Sequence, residues 1–331
     1  MYKIYSQNRL VGEVDKALTN LCDSGAFFGS VLISKAGKII YSKNVGIANI
    51  EANAHVTNTS KFELASLSKP FTALLVLQLV DKGILKLNAK VSDYIPEFTR
   101  TDSGEITVHH LLSHTSGLQD FVGINCPFAN WTEKEFIEAL QKTPVHFKAG
   151  SQFEYASSTY ILLRFIIEHV TGVSYETNLK EHIFKPAGMT NSGIIHNQEI
   201  LRERAMGYVK TEAGLRNAVP IANHDIFLGA ASIFSTASDL LLFDQALYTD
   251  KLVTSETLKK MFTVVLPPYG YGWFIEDDST KGKIVSHGGD IFGYTTLMQR
   301  RLKDKSVIII LGNIQSIDRS RILTLLNKFL L

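Results

Sequence analysis

The sequence predicts an α+β fold: one antiparallel sheet built from both ends of the chain, flanked by terminal helices, with an all-helical lobe set between. Three observations predict it. Segments rich in Val and Ile cluster near the two ends of the chain. Within each cluster the joining turns are short, which requires antiparallel neighbours. The stretch between the clusters carries helical periodicity and loop residues.

Taken in order, Leu10, Val11, Val14, Ala17, Leu18 and Leu21 recur at helical spacing, so residues 9–23 read as an amphipathic helix. Phe28 to Ser34 and Lys38 to Val45 read as a hairpin turning at Lys35-Ala36-Gly37. A helix is expected to begin near Ser66: the apolar run Phe71 to Val80 follows, Pro70 is tolerated only in a first turn, and Gly83 marks the stop. Further helices are expected at Thr132 to Gln141, Tyr160 to Val170 and Asp239 to Tyr248. Strands return at Tyr271 to Glu276, Lys283 to Ser286, Tyr294 to Arg301 and Ser306 to Leu311, the last two joined by the charged turn Lys303-Asp304-Lys305. Ile317, Leu323, Leu326 and Leu330 mark a closing amphipathic helix. Residues 1–84 and 250–331 are thus expected to form one discontinuous sheet lobe, and 85–249 a mainly helical lobe.

Composition narrows the function. The chain has 331 residues, 45% hydrophobic and 20% charged, enough for a two-lobed enzyme with a sizeable core. A net charge of +2 without a dense basic stripe argues against nucleic acid as partner. Cys22 and Cys126 fit no metal spacing or disulfide framework and read as two buried thiols. The start MYKIYSQNRLVGEVDKAL has no apolar leader core, and no run reaches the roughly 18 apolar residues of a membrane helix. The expected location is cytoplasmic, or extracytoplasmic if a leader has been trimmed. A monomer is the default expectation.

The chemistry centres on Ser66-Leu67-Ser68-Lys69. Positions i and i+3 share a helix face, so the Ser66 hydroxyl and the Lys69 amine can meet within one turn. That pairing suits a serine nucleophile with an adjacent base, and a helix N-terminus favours any oxyanion formed beside it. Serine and lysine are common residues, so the motif gains weight only from partners. Tyr155 and Ser157 put a phenol and a hydroxyl just ahead of an apolar helix; the phenol is either a proton carrier or a core or capping residue. Ser286-His287-Gly288-Gly289-Asp290 ends a strand signal. Its glycines allow close approach of a ligand or of backbone, and the plainer reading is a tight turn with a surface histidine. His110 and His114 have the i, i+4 spacing of zinc ligands, but there is no obvious third ligand and a structural role is preferred; no metal and no cofactor are expected.

Together these segments resemble the serine β-lactamase-like hydrolases, in the branch of class C β-lactamases, penicillin-binding proteins, D-aminopeptidases and esterases. The resemblance runs from about Val11 to Leu311. It is carried by FELASLSK (Phe62 to Lys69), LLSHTSGL (Leu111 to Leu118), Gly150 to Ser158, LGAASIFSTASDL (Leu228 to Leu240), Tyr271-Gly272-Trp273 and His287-Gly288-Gly289. It implies a β-lactamase/transpeptidase-like fold with the active site between its two lobes. It also implies Ser66 as nucleophile, with Lys69 and Tyr155 sharing the base role in an order the sequence leaves open. The oxyanion donors would be the backbone N–H groups of Ser66 and Asp290, with His287 lining the site within reach of Tyr155 or substrate.

Departures from the pattern bear on substrate. Ser157 stands where β-lactamases of the branch carry Asn, and His287-Gly288-Gly289 replaces Lys-Thr-Gly. The fixed charge and hydrogen bonds that hold a β-lactam are thereby missing. The expected function is a serine hydrolase of the esterase or D-amino-acid peptidase or carboxypeptidase type, forming an acyl-enzyme on a small-molecule or peptide ester or amide, with weak or no β-lactamase activity. The alternative is a catalytically idle relative that binds a peptide or acyl ligand. The Asp290 side chain either repels an anionic substrate or points away.

Overall fold

The computed structural model describes residues 2–100, 105–121, 131–219 and 223–331. Its centre is a six-stranded antiparallel sheet. The strands are β1 (Gly29–Lys35), β2 (Lys38–Val45), β3 (Phe274–Asp278), β4 (Gly282–Ile291), β5 (Tyr294–Arg301) and β6 (Ser306–Gly312), in the spatial order β3-β4-β5-β6-β1-β2. The two ends of the chain meet where β1 pairs with β6, from Gly29 opposite Gly312 to Lys35 opposite Ser306. The expected hairpin forms as read, with Ala36 and Gly37 both at positive φ in its turn.

One face of the sheet is covered by the terminal helices α1 (Tyr2–Asp23) and α4 (Arg319–Asn327). Val14, Leu18, Val31, Ile33, Ile308, Ile310, Ile322 and Leu326 form the core there. The other face contributes Leu32, Val307, Ile309 and Leu311 to a larger core that runs into the helical part of the molecule. At its middle lies α2 (Lys69–Asp81), buried almost all round, as its apolar sequence demands. Beside it packs α3 (Ser157–Thr171), which ends on Gly172 in the left-handed conformation that glycine adopts without strain.

The structure differs from the sequence reading in three places. The inserted stretch also holds short strands: a hairpin at Tyr208–Thr211 and Gly214–Asn217, and Gly193–Ile194 and Ile233–Ser235, which join Phe62–Glu63 in a small sheet. These segments are two to four residues long, too short to leave a period in the sequence. The segment His287-Gly288-Gly289 is neither a turn nor a strand end but lies inside the ten-residue β4, paired with Met298, Leu297 and Thr296 of β5. Cys22 is half-buried rather than buried, and Cys126 lies outside the described residues. No helix of the described residues is long and apolar enough to cross a membrane.

Candidate active site

Ser66 sits on a tight 3-10 turn, Ala65–Ser68, that runs directly into α2 at Lys69. In a 3-10 turn residues i and i+3 eclipse one another, so this geometry brings the two side chains closer than the α-helical turn expected from sequence. Lys69 Nζ donates to Ser66 Oγ at 3.0 Å, to Ser157 Oγ at 3.2 Å and to the Ala230 carbonyl at 3.2 Å. The residue before the nucleophile candidate, Ala65, has φ +51°, a left-handed conformation that costs an alanine about 1–2 kcal/mol. The surroundings impose it. Leu64 N–H donates to the Ile233 carbonyl at 2.8 Å, Ile233 N–H donates to Ser68 Oγ at 3.2 Å, and β4 presses on the turn from the other side.

Lys69 is fully buried, and that burial lowers its pKa from 10.5 to about 7; the Asp120 carboxylate acts in the opposite direction. The amine therefore loses its proton near neutrality. Tyr155 lies alongside, its ring centroid 4.8 Å from Lys69 Nζ. Its buried hydroxyl makes no well-aligned hydrogen bond. Burial pushes the phenol well above the usual tyrosine range, with Ser66 pulling it partly back and Asp120 and Asp290 adding to the rise. A neutral phenol and a partly neutral amine thus stand together beside the Ser66 hydroxyl.

Tyr155 is held in place by the LLSHTSGL segment. The His114 carbonyl accepts from Glu154 N–H at 3.0 Å, and the Thr115 carbonyl from Gly150 N–H at 2.7 Å. The buried His114 ring lies 4.4 Å from the Tyr155 ring, and its Nδ1 accepts from Ala156 N–H at 3.2 Å. Burial, then the charges of Lys69 and His287, drive His114 far below the ordinary histidine range. His110 Nδ1 instead caps a short helix by accepting from Thr107 N–H at 3.2 Å. The two histidines thus serve different local structures, and no group of three or more candidate metal ligands occurs among the described residues.

The third motif is placed differently from expectation. His287 is buried and does not reach Tyr155 by hydrogen bond; Nε2 pairs with Tyr269 Oη at 3.0 Å and Nδ1 donates to the Gly288 carbonyl at 2.6 Å. Burial first, then the Lys69 charge, lowers its pKa from 6.5 to about 3, so the ring is neutral. The glycines serve backbone approach. A Cβ on Gly289 would lie 2.1 Å from the Leu64 carbonyl oxygen and 2.9 Å from Ala65 Cβ, and one on Gly288 would meet the Arg319 guanidinium at 2.5 Å. Asp290 does reach the cleft, and its carboxylate pairs with Arg319 at 2.6 Å. Arg319 also donates to the carbonyls of Gly289 at 3.3 Å and Thr296 at 3.0 Å.

Ser66, Tyr155, Ser157 and Asp290 open onto a cleft of about 290 Å³ completed by Asp120, Phe227, Ala231, Ile291, Phe292 and Gln315. Among the lining residues only these four were singled out from sequence. Asp120 follows the LLSHTSGL segment by two residues, and nothing local marks it. Arg319 opens a helix remote in sequence from every motif. A larger cavity of about 540 Å³ lies elsewhere, around Phe184, Met189 and Ile200, and holds none of these groups.

The family profile described as Beta-lactamase matches residues 14–329. The chain belongs to the beta-lactamase family. Within it, the chain is similar to Penicillin-binding protein 4* of Bacillus subtilis (strain 168), at 35% identity over 313 residues, 87% of this chain and 68% of the relative. It is similar also to the octameric penicillin-binding protein homologue from Pyrococcus abyssi, at 28% identity and a TM-score of 0.85, over 97% of this chain and 77% of the other. EstCE1, a hydrolase with promiscuous acyltransferase activity, shares the fold at 20% identity and a TM-score of 0.84, over 98% and 99% of the two chains. This member of the beta-lactamase family is accordingly a serine hydrolase with the β-lactamase/transpeptidase-like fold.

Proposed function

We propose that this protein hydrolyses an ester or amide through an acyl-enzyme on Ser66, with Lys69 as the acylation base. The observation that carries the reading is the 3.0 Å contact between Ser66 Oγ and a fully buried Lys69 amine that titrates near 7. A base must be within hydrogen-bond reach and partly deprotonated at working pH, and Lys69 meets both conditions. Tyr155 fails the second condition in the free enzyme, because its phenol stays protonated.

In this scheme neutral Lys69 takes the Ser66 proton as Oγ bonds to the carbonyl carbon. The Ser66 backbone N–H, at the start of the turn, and the Asp290 backbone N–H receive the developing oxyanion. Tyr155 gives its proton to the leaving oxygen or nitrogen as that bond breaks, and the new Lys69 ammonium restores it, leaving both neutral. Water then attacks the acyl carbon while its proton passes to the same pair, and Ser66 departs protonated. Ser157 holds Lys69 aimed at Ser66, and His287 acts through Tyr269 rather than on substrate.

The cleft lining contains two aspartates and neither Lys nor Arg, which supports weak or absent turnover of anionic β-lactams. The proposal is tested by intact-mass measurement after incubation with a fluorophosphonate and, separately, a penicillin. A fluorophosphonate adduct lost in Ser66→Ala is expected; labelling that survives in Ser66→Ala refutes the nucleophile. Rapid penicillin turnover refutes the substrate argument. We further propose that the protein acts as a monomer on a small-molecule or peptide substrate, a point that native mass measurement checks.

A further inference from the structure

We propose that Arg319 is a positioning residue for the reaction at Ser66: by donating to the Gly289 carbonyl it fixes and polarises the peptide whose N–H, that of Asp290, receives the oxyanion. This rests on the Ser66 acyl-enzyme reading and adds to it a residue that belongs to none of the motifs.

The register of the sheet sets up the geometry. Two residues, Phe292 and Gly293, join β4 to β5, and Ile291 lies opposite Tyr294. A two-residue hairpin closes on a hydrogen-bonded pair, and bonded and non-bonded pairs alternate along antiparallel strands. Gly289 and Thr296 therefore exchange backbone hydrogen bonds, while Asp290, opposite Thr295, turns its N–H away from β5. On the other edge of β4, pairing with β3 reaches only Ser286, opposite Phe274, so no strand takes the Asp290 N–H. The nucleophile turn packs on β4 here instead, so closely that a Cβ on Gly289 would lie 2.9 Å from Ala65 Cβ.

The Gly289 carbonyl and the Asp290 N–H belong to one planar peptide unit. Whatever holds the carbonyl also orients the N–H, and a donor that draws charge onto the carbonyl oxygen strengthens the N–H as a donor in turn. Arg319 is such a donor, and a charged one. It donates to the Gly289 carbonyl at 3.3 Å and to the Thr296 carbonyl at 3.0 Å, and pairs with the Asp290 carboxylate at 2.6 Å. One rigid guanidinium thus grips both strands and the residue whose N–H it aligns. Gly288 leaves the room for it, since a Cβ there would lie 2.5 Å from Arg319 Nη1. Successive residues of a strand face opposite ways, so Arg319 stands on the side of β4 away from Leu64. It is not among the residues that line the cleft, and it acts through the peptide rather than on substrate.

A role confined to tying α4 to the sheet would lower the melting temperature and the fraction of competent protein, but not the rate of each competent site. The test therefore measures kcat and KM for p-nitrophenyl butyrate from pH 5.5 to 9, with kcat divided by the fraction of sites that a fluorophosphonate labels. Arg319→Met keeps the aliphatic stem and removes the donors. Removing an oxyanion donor outright costs about 10²–10³ in kcat; here the donor stays but loses its support, so roughly 10- to 30-fold per labelled site is expected. Acylation and deacylation both pass through the oxyanion, so KM should stay within about twofold. The pH midpoint near 7 should not move, because the burial of Lys69 and its Asp120 neighbour are unchanged. The rate constant of fluorophosphonate labelling should fall in parallel, because phosphonylation develops a similar oxyanion. An unchanged kcat per labelled site, a loss carried by KM alone, or a displaced midpoint each overturns the proposal. Arg319→Gln, shorter and uncharged, is read in the same way if the methionine variant does not fold. No labelling of the wild type refutes the Ser66 reading itself; with labelling but no ester turnover, the labelling rates of wild type and variant decide.

Discussion

Lys69→Arg is the perturbation that most directly probes the proposed chemistry. An arginine keeps the positive charge and the hydrogen-bonding reach but does not deprotonate in the accessible pH range. The lysine amine has been lowered from 10.5 to about 7 by burial, so at pH 7.4 about 70% of it is neutral, against roughly 0.1% for an unperturbed amine. Burial alone therefore raises the active-base population nearly a thousandfold. Loss of a positioned base typically costs about 10²–10⁴ in rate. The assay is kcat/KM against pH from 5.5 to 9 with an activated ester. The neutral amine is the active form, so wild-type activity should rise with pH, pass its midpoint near 7 and level off above 8. Lys69→Arg should lose at least about 100-fold at every pH and show no limb near 7. A wild-type profile flat from 5.5 to 8.5, or still rising toward 10, would refute Lys69 as the base and return that role to an ionised Tyr155.

Three further outcomes follow from the geometry. Gly289→Ala should cost about 1–3 kcal/mol and much of the activity, because its Cβ would overlap the Leu64 carbonyl of the nucleophile turn. Gly288→Ala meets the side-chain end of Arg319 at 2.5 Å and the Thr296 carbonyl only at 3.2 Å, a milder backbone clash, and should cost less; thermal melts and ester turnover of the pair check the contrast. His114 and His287 are buried with folded-state pKa values below the unfolded value, so the unfolded chain binds more protons below pH 6.5. Stability should fall as pH drops below 6.5, by about 1.4 kcal/mol per pH unit for His287 down to about pH 3, with His114 acting in the same direction. Denaturant titrations across that range measure it, and His287→Asn should flatten the slope; an unchanged slope would mean the ring is already protonated in the folded protein.

The fold class was legible because its determinants are local. The continuous Val/Ile run at Ser306 to Leu311, the Ala36-Gly37 turn and the apolar run after Pro70 each state their own conformation within a few residues, and together they specify a sheet closed by both chain ends. Ser66, Lys69 and Tyr155 were legible through motif order along the chain, with the fold implied by resemblance. Other features have no local signal. The strands of two to four residues around Ile233 form because Phe62–Glu63 is there to pair with them. His287 reads as a surface residue until the position of Tyr269 is known, and the paired glycines read as room for a ligand until Leu64 and Arg319 fill that room. The sequence by itself determined the architecture and named Ser66, Lys69 and Tyr155 as the proposed reactive trio. Tertiary structure decided the protonation states and the charge of the cleft. Burial of Lys69 and the approach of Asp120 to it depend on segments dozens of residues apart, and electrostatic energy depends on distance and solvent exclusion, neither of which is written in a local run of residues.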